Sequence, residues 1–386
     1  MTDRRIRVEG PRRAPWLVLS NSLGTTADMW EPQMTALTGR FRVVRYEHRG
    51  HGGSATPPGP YSIDDIGGDL LGVLEAVGAE RAAVVGLSLG GTAAMWLAAH
   101  HPGRVERLVL ACTAASWPPT DLWDGRIAAM QHGTPSDLLD SLMARWFTPA
   151  FEQGHLRTRR LVASMLEACS PAGYAACCAA LARVDLTSRL ADIAAPTLVV
   201  AAASDPVVPT STAAALAERV AGAELRVIAP GAHLLNLEQP ARFTAAVVDH
   251  LAGDPVERGR SVRRAVLGDD HVDRSEEALT LLSAPFSELI TRYAWGDIWT
   301  RPGLDRSTRS FITLAMLVAL GRLEELELHL RGARRNGLTD DEIGEVLLQA
   351  AVYCGVPAAN AAFAVARRVL AEVEPSPGDG PAASAP

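Results

Sequence analysis

The chain has no apolar run near the roughly 18 residues that a membrane-crossing helix needs. None of its five cysteines forms a CxxC pair or a zinc-like spacing. The first absence argues against a membrane protein; the second argues against a structural zinc site and a dithiol redox centre. Cys112, Cys169, Cys177, Cys178 and Cys354 are odd in number and read as buried free thiols of a reducing cytosol. A basic excess is also missing. With a net charge of −7 the protein has no general attraction for nucleic acid, and a small anionic substrate would need a local arginine. The opening "MTDRRIRVEGPRRAPWLVLSNS" is basic, yet its apolar run is too short for a signal-peptide core and reads as a β-strand. No internal repeat occurs. These absences leave a soluble, cytoplasmic protein with no implied metal or cofactor.

At 386 residues, 48% of them hydrophobic, the chain is long enough for two or three domains of roughly 100–200 residues, each with its own core. Between Trp16 and Leu251 the segments "WLVLSNS", "FRVVRYEHRG", "RAAVVGLSLG", "RLVLACTA", "PTLVVAAASD" and "ELRVIAPGAH" alternate with helix-like stretches. That is the pattern of a mainly parallel sheet covered by helices. Each segment ends in a turn, where open α/β sheets gather functional groups. From about 117 to 191 the text turns amphipathic, as in "DLLDSLMARWFTPAF", which predicts a helical lid over the sheet edge. Residues 254–265, polar and punctuated by Gly and Pro, read as a linker. Beyond it only helical signals occur: Asp305 or Ser307 as an N-cap, Gly337 past a helix end, a capping box at Thr339–Glu342 and Pro357 in a first turn. The fold class is therefore α/β followed by all-α, with one domain over 1–253 and a helical one over 266–372. The tail 373–386, rich in Pro, Gly, Ala and Ser, reads as disordered.

"GLSLG", Gly86 to Gly90, follows the apolar "AAVV" and precedes "GTAAMWLAAH". A serine in a glycine-flanked strand-to-helix turn has its hydroxyl exposed for attack, the arrangement called a nucleophile elbow. A bland Gly-rich turn is the alternative. In this kind of fold an acid and then a histidine should follow Ser88 along the chain. Asp205 in "ASDPVVP" and His233 in "GAHLLNLEQP" follow the last two strand candidates in that order, although an Asp before a Pro also makes ordinary turns. Stabilising a tetrahedral oxyanion takes two backbone N–H groups; Leu89, after the serine, and Leu23 in "NSLG" are placed to supply them.

"NSLGTTADMW", "YEHRGHGGS", "GLSLGG", "RWFTPAF", "ASDPVVP" and "GAHLLNLEQP" together resemble the 3-oxoadipate enol-lactonases of the α/β-hydrolase superfamily over about residues 6–252. The resemblance implies a helical-lidded α/β-hydrolase fold and hydrolysis of an enol-lactone, with Ser88 as nucleophile, His233 as base and Asp205 orienting it. It also implies that His48 and His51 lie in a turn supporting the site. Arg145, beside Trp146 in the lid, becomes the candidate for holding the substrate's free carboxylate; a solvated arginine on an amphipathic helix is the competing reading.

The stretch "GRLEELELHLRGARRNG", from Gly321, resembles the outside of a helix. At about 100° per residue, Leu323, Leu326, Leu330 and Ala333 share an arc of roughly 80°. Glu324, Glu327, Arg331, Arg334 and Arg335 gather on one flank, while Arg322, Glu325 and His329 fall within about 60° of each other on the other flank. Glu325 and His329 are four residues apart and can touch. Such a pair is an ordinary surface feature as well as a candidate site.

"RRAVLGDDHVDRS", "YAWGDIWTRPGLDRSTRSFITLAMLVALGR", "ELELHLRGARRNGLTDDEI" and "LLQAAVYCGVPAANAAF" resemble the 4-carboxymuconolactone decarboxylases over about residues 258–371. The wider superfamily includes peroxide-reducing proteins with a CxxCxxxH motif, and this chain carries Arg322 and Glu325 where those cysteines would lie, so thiol redox chemistry is not implied. The resemblance implies a cofactor-free decarboxylation with His329 as general acid, Glu325 as its partner and Arg322 as an anion-binding group. Trp295, Trp299 and Arg301 would wall the pocket or simply pack. Joined in one chain, the two likenesses resemble the fused enzymes of protocatechuate degradation and imply a homo-oligomer, trimer or hexamer, built through the C-terminal domain. A hydrolase of other specificity carrying a non-catalytic helical oligomerisation module is the rival reading.

Overall fold

Six apolar segments form strands as their patterning predicts: β2 (Trp16–Ser20), β3 (Arg42–Tyr46), β4 (Ala82–Leu87), β5 (Val105–Ala111), β6 (Thr197–Ala202) and β7 (Glu224–Ile228). A seventh, β1 (Ile6–Glu9), precedes them. The sheet order is β1-β3-β2-β4-β5-β6-β7, parallel except for β1, which pairs antiparallel with β3. β1 escapes a pattern search because it is four residues long and polar at alternate positions; it is held partly by Arg7–Asp28 at 2.8 Å and Arg45–Glu9 at 2.6 Å. The central strands are buried on both faces, which is why they read as continuous apolar runs. Successive side chains enter opposite layers: Val18, Val84 and Leu108 face one, Leu17, Leu19, Val85 and Val109 the other.

The computed structural model describes residues 5–117, 120–301 and 303–371, so the tail 373–386 lies outside the described residues. The chain divides into two compact units between Ala252 and Gly253. In the first, five α-helices and one 3-10 turn described between Thr120 and Arg183 form the lid, inserted between β5 and β6. Two backbone hydrogen bonds tie the lid to the turn after β3: Gly52 N–H to the Ala168 carbonyl at 2.9 Å and Ser170 N–H to the Gly50 carbonyl at 2.8 Å. The cysteines are free; Cys112, Cys169, Cys177 and Cys178 are buried and Cys354 is half-buried.

Beyond Gly253 every described regular element is helical. The predicted linker at 254–265 is instead a helix, Pro255–Leu267, capped by Asp254, whose carboxylate accepts the Val256 N–H at 2.8 Å. Its charges misled because they form an outer lattice: Arg264 meets Asp273 at 2.6 Å and Glu276 at 3.1 Å, and Arg260 meets Glu257 at 2.7 Å. Its inner face, Val262, Val266 and Leu267, is buried with Val272 and Trp295. Gly259 makes the close packing possible, since a Cβ there would lie 2.0 Å from the Thr291 carbonyl oxygen. That carbonyl begins a π-helical segment, Thr291–Ile298, a geometry often found at functional sites. The sequence-predicted signals of the later helices hold: Asp305 caps Arg306–Ala319, the Thr339–Glu342 capping box opens Asp340–Cys354, and Gly337 takes φ 90°.

Candidate active sites

Ser88 stands between β4 and the helix Leu89–His100 with φ 56° and ψ −119°, a conformation that costs a non-glycine residue of order 1–3 kcal/mol. The turn is possible because its neighbours lack side chains. A Cβ on Gly90 would sit 2.1 Å from the Ser20 carbonyl oxygen, and one on Gly86 2.3 Å from that of Gly90. Asp205 lies in the loop after β6 and His233 in the loop after β7, and β6 and β7 are neighbours in the sheet that also holds β4. His233 Nε2 lies 3.0 Å from Ser88 Oγ, and His233 Nδ1 lies 2.9 Å from Asp205 Oδ2. Asp205 Oδ1 accepts the N–H groups of Val207 and Val208 at 2.8 and 3.0 Å, so the Asp–Pro turn and the Asp205–His233 hydrogen bond are one feature. All three side chains are buried.

Leu89 follows Ser88 as the first residue of its helix, and Leu23 lies buried in the loop after β2. Among the described residues neither backbone N–H donates to another protein group, which leaves both available to an incoming oxygen. Trp146 comes over the site from the lid: its carbonyl accepts the Leu234 N–H at 3.0 Å, and its ring tip packs near Gly24. Arg145, next to it, is half-buried and has no ion-pair partner among the described residues. Cys112, at φ 44°, backs Asp205; burial first, then that carboxylate, pushes its thiol well up. No sequence signal marked it.

In the second unit His329 projects from the helix Leu323–Arg335 and packs parallel to two indoles. Its ring is 6.4 Å from both Trp295 and Trp299, with interplanar angles of 6° and 26°. Burial lowers the His329 pKa below its ordinary value; His271 adds to this and Glu325 opposes it. His271 is itself lowered by burial and by Arg263, Arg274 and Arg335. Sequence reasoning missed His271 and Arg263, because they lie in the charged stretch read as a linker and its continuation. Arg322 is exposed and forms the N-cap, with non-helical φ −87° and ψ 75°, so the helical projection that grouped it with Glu325 and His329 stops short of it. Glu325 and Arg301 are also exposed. The other flank is ion-paired, Glu327 to Arg331 at 3.0 Å and Arg334 to Asp340 at 2.6 Å. Among the described residues no three His, Cys, Asp or Glu converge to hold a metal ion, and no helix is long and apolar enough to cross a membrane.

The sheet order and the strained serine turn define the α/β class of hydrolase folds. The sequence profile described as "alpha/beta hydrolase fold" matches residues 15–240, and that of the "Carboxymuconolactone decarboxylase family" matches residues 284–368. 3-Oxoadipate enol-lactonase 2 of Acinetobacter baylyi is 36% identical over 238 residues, 62% of this chain and 89% of that protein. The 4-carboxymuconolactone decarboxylase of the same organism is 47% identical over 120 residues, 31% of this chain and 90% of that protein. A solved enol-lactonase from Burkholderia xenovorans LB400 has a TM-score of 0.63 at 36% identity, covering 65% of this chain and 96% of that one. The chain thus belongs to the alpha/beta hydrolase fold family, with a carboxymuconolactone decarboxylase family unit fused behind it.

Proposed function

We propose that this chain catalyses two consecutive reactions: decarboxylation of 4-carboxymuconolactone to 3-oxoadipate enol-lactone, and hydrolysis of that lactone to 3-oxoadipate. The observation that carries the reading is the Ser88–His233–Asp205 line, at 3.0 and 2.9 Å, within the unit similar to an enol-lactonase. In the hydrolysis, Ser88 Oγ attacks the lactone carbonyl while His233 Nε2 takes its proton, and Asp205 holds the opposite ring N–H. The developing oxyanion is met by the N–H groups of Leu23 and Leu89. The C–O bond of the ring breaks and the leaving enolate is protonated and becomes a ketone, so it departs easily. Water activated by His233 then releases the acid. Arg145 holds the substrate carboxylate and Trp146 closes over it.

In the second unit the carboxylate leaves as CO2, and its electron pair passes through the ring double bond to the lactone carbonyl as a dienolate. Protonation of a ring carbon completes the step. His329 is the general acid, with Glu325 sharing its proton and Arg322 stabilising charge; Trp295, Trp299 and Arg301 wall the site. Burial favours neutral His329 before substrate binds, and the carboxylates of bound substrate favour the proton that the reaction needs. No cofactor takes part. The protein acts in the cytoplasm as a homo-oligomer joined through its C-terminal unit. Supporting the oligomer, an apolar groove of about 630 Å³ between the helices Arg306–Ala319 and Asp340–Cys354 is lined by Tyr353 and Ile312, which are 79% and 39% exposed.

A coupled assay starting from 4-carboxymuconolactone tests both steps. Wild type releases 3-oxoadipate, Ser88→Ala stops at the enol-lactone, and His329→Ala leaves the starting lactone unconsumed. Release of 3-oxoadipate by Ser88→Ala above the spontaneous rate would remove the first assignment; normal decarboxylation by Glu325→Ala/His329→Ala would remove the second.

A further inference from the structure

His51 lies in the turn after β3 and is fully buried. Its Nδ1 is 3.0 Å from the Arg49 carbonyl oxygen and its Nε2 is 3.1 Å from the Gly24 nitrogen. A carbonyl only accepts and an amide N–H only donates, so the proton sits on Nδ1 and Nε2 is the bare acceptor. The tautomer is thereby set by the two partners. Gly24, at φ 74°, is the residue after Leu23, whose N–H is an oxyanion donor in the mechanism proposed above.

A peptide unit is rigid and planar, so the Leu23 N–H is aimed by whatever holds the planes on either side of its Cα. The plane before it contains the Ser22 carbonyl, which accepts the Thr25 hydroxyl at 2.7 Å. The plane after it contains the Gly24 N–H, which His51 accepts. One turn earlier, His48 Nε2 donates to the Asn21 carbonyl at 2.9 Å. The loop has a hydrogen-bonded anchor on each side of Leu23, and His51 is the only side chain that supplies the later one among the described residues.

The same turn meets the lid. Gly50 touches Gly173 so closely that a Cβ on either would come within 2.5 Å of the other's Cα, and the lid residues Leu166 and Tyr174 pack 3.1 Å from the Cβ position of Gly24. Resting on the reading of Ser88 as the nucleophile, we propose that His51 is a positioning residue: its bare Nε2 holds the Gly24 N–H, fixes the aim of the Leu23 N–H at the oxyanion, and links that loop to the lid. Burial favours the neutral ring, with its pKa lowered to about 4, so the acceptor is present throughout the working range.

Two variants of the full chain separate this role from mere packing. His51→Asn keeps a donor near the Arg49 carbonyl but places no acceptor at Gly24; His51→Gln places its Oε1 near the position of Nε2. For enol-lactone or 4-nitrophenyl acetate hydrolysis, His51→Asn should lower kcat roughly 10- to 100-fold with KM within about twofold, as for a misdirected oxyanion donor. Its affinity for phenylboronic acid, which bonds to a reactive serine and puts an anionic oxygen in the hole, should fall in proportion. His51→Gln should recover most of both. Decarboxylation, measured on the same preparations, should stay at the wild-type rate. Wild-type kcat and boronate affinity in His51→Asn, with Ser88→Ala inactive, would overturn the positioning role alone. Hydrolysis by Ser88→Ala at the wild-type rate would overturn it together with the reading of Ser88.

Discussion

Replacing Glu47 by Gln probes the polar wall behind the loop that follows β2. Glu47 is 2% exposed, and its Oε2 accepts the Ala27 N–H at 3.0 Å and the Asn21 side-chain amide at 3.4 Å. Burial, opposed by the Ala27 bond, raises its carboxyl from 4.5 to about 7. The folded chain therefore holds this proton more tightly than the unfolded one. The resulting stability is fully present below pH 4.5 and is lost as pH rises through about 7. A shift of about 2.5 pH units is worth about 3 kcal/mol, of which roughly 2 to 3 kcal/mol falls between pH 5 and pH 8. His48 and His51, both lowered from 6.5 to about 4 by burial, act in the opposite sense and cost stability as pH falls below 6.5. The informative quantity is therefore the difference between wild type and Glu47→Gln at each pH. Urea unfolding, read by hydrogen exchange in residues 17–30 so that it reports the first unit alone, should show wild type gaining about 2 to 3 kcal/mol on the variant from pH 8 to pH 5. A difference that stays constant to within about 0.5 kcal/mol over that range would refute the reasoning.

Gly259→Ala should destabilise the second unit by about 1–3 kcal/mol in thermal unfolding, despite alanine's better helix propensity, because the new methyl meets the Thr291 carbonyl. The same variant should slow decarboxylation by displacing Trp295 from His329; unchanged melting would count against the packing argument. Arg145→Met, which keeps the stem and loses the charge, should raise KM for the enol-lactone about 10- to 100-fold, the value of one charge-assisted hydrogen bond, with kcat nearly unchanged. A change in kcat alone would remove Arg145 from carboxylate binding. Thr339→Ala loses the cap whose oxygen accepts the Glu342 N–H at 3.2 Å and should cost about 1 kcal/mol, measured by urea titration of the helical unit.

Much of the fold and of the candidate sites was legible because their signals are local. The β2–β7 runs, the glycines around Ser88 and the strand-end positions of Asp205 and His233 each state a short-range geometry, and the open α/β fold brings strand ends together whatever the intervening sequence. The Thr339 capping box and the Asp305 cap were readable for the same reason. The projection of the helix Leu323–Arg335 separated His329 from the ion-paired flank, since a helix repeats every 3.6 residues.

What the sequence alone determined is therefore the run of strands β2–β7, the order of the candidate site residues along the chain and the two families it joins. Only the tertiary structure decided which residues surround each site. Arg322 stays at an exposed cap while His271 comes near His329. The supposed linker is a helix because Gly259 and Thr291, far apart in sequence, pack without a side chain between them. His51 reaches Gly24 across 27 residues. These are contacts between segments with no shared periodicity, and their partners are chosen by packing and hydrogen-bond satisfaction when the chain closes on itself.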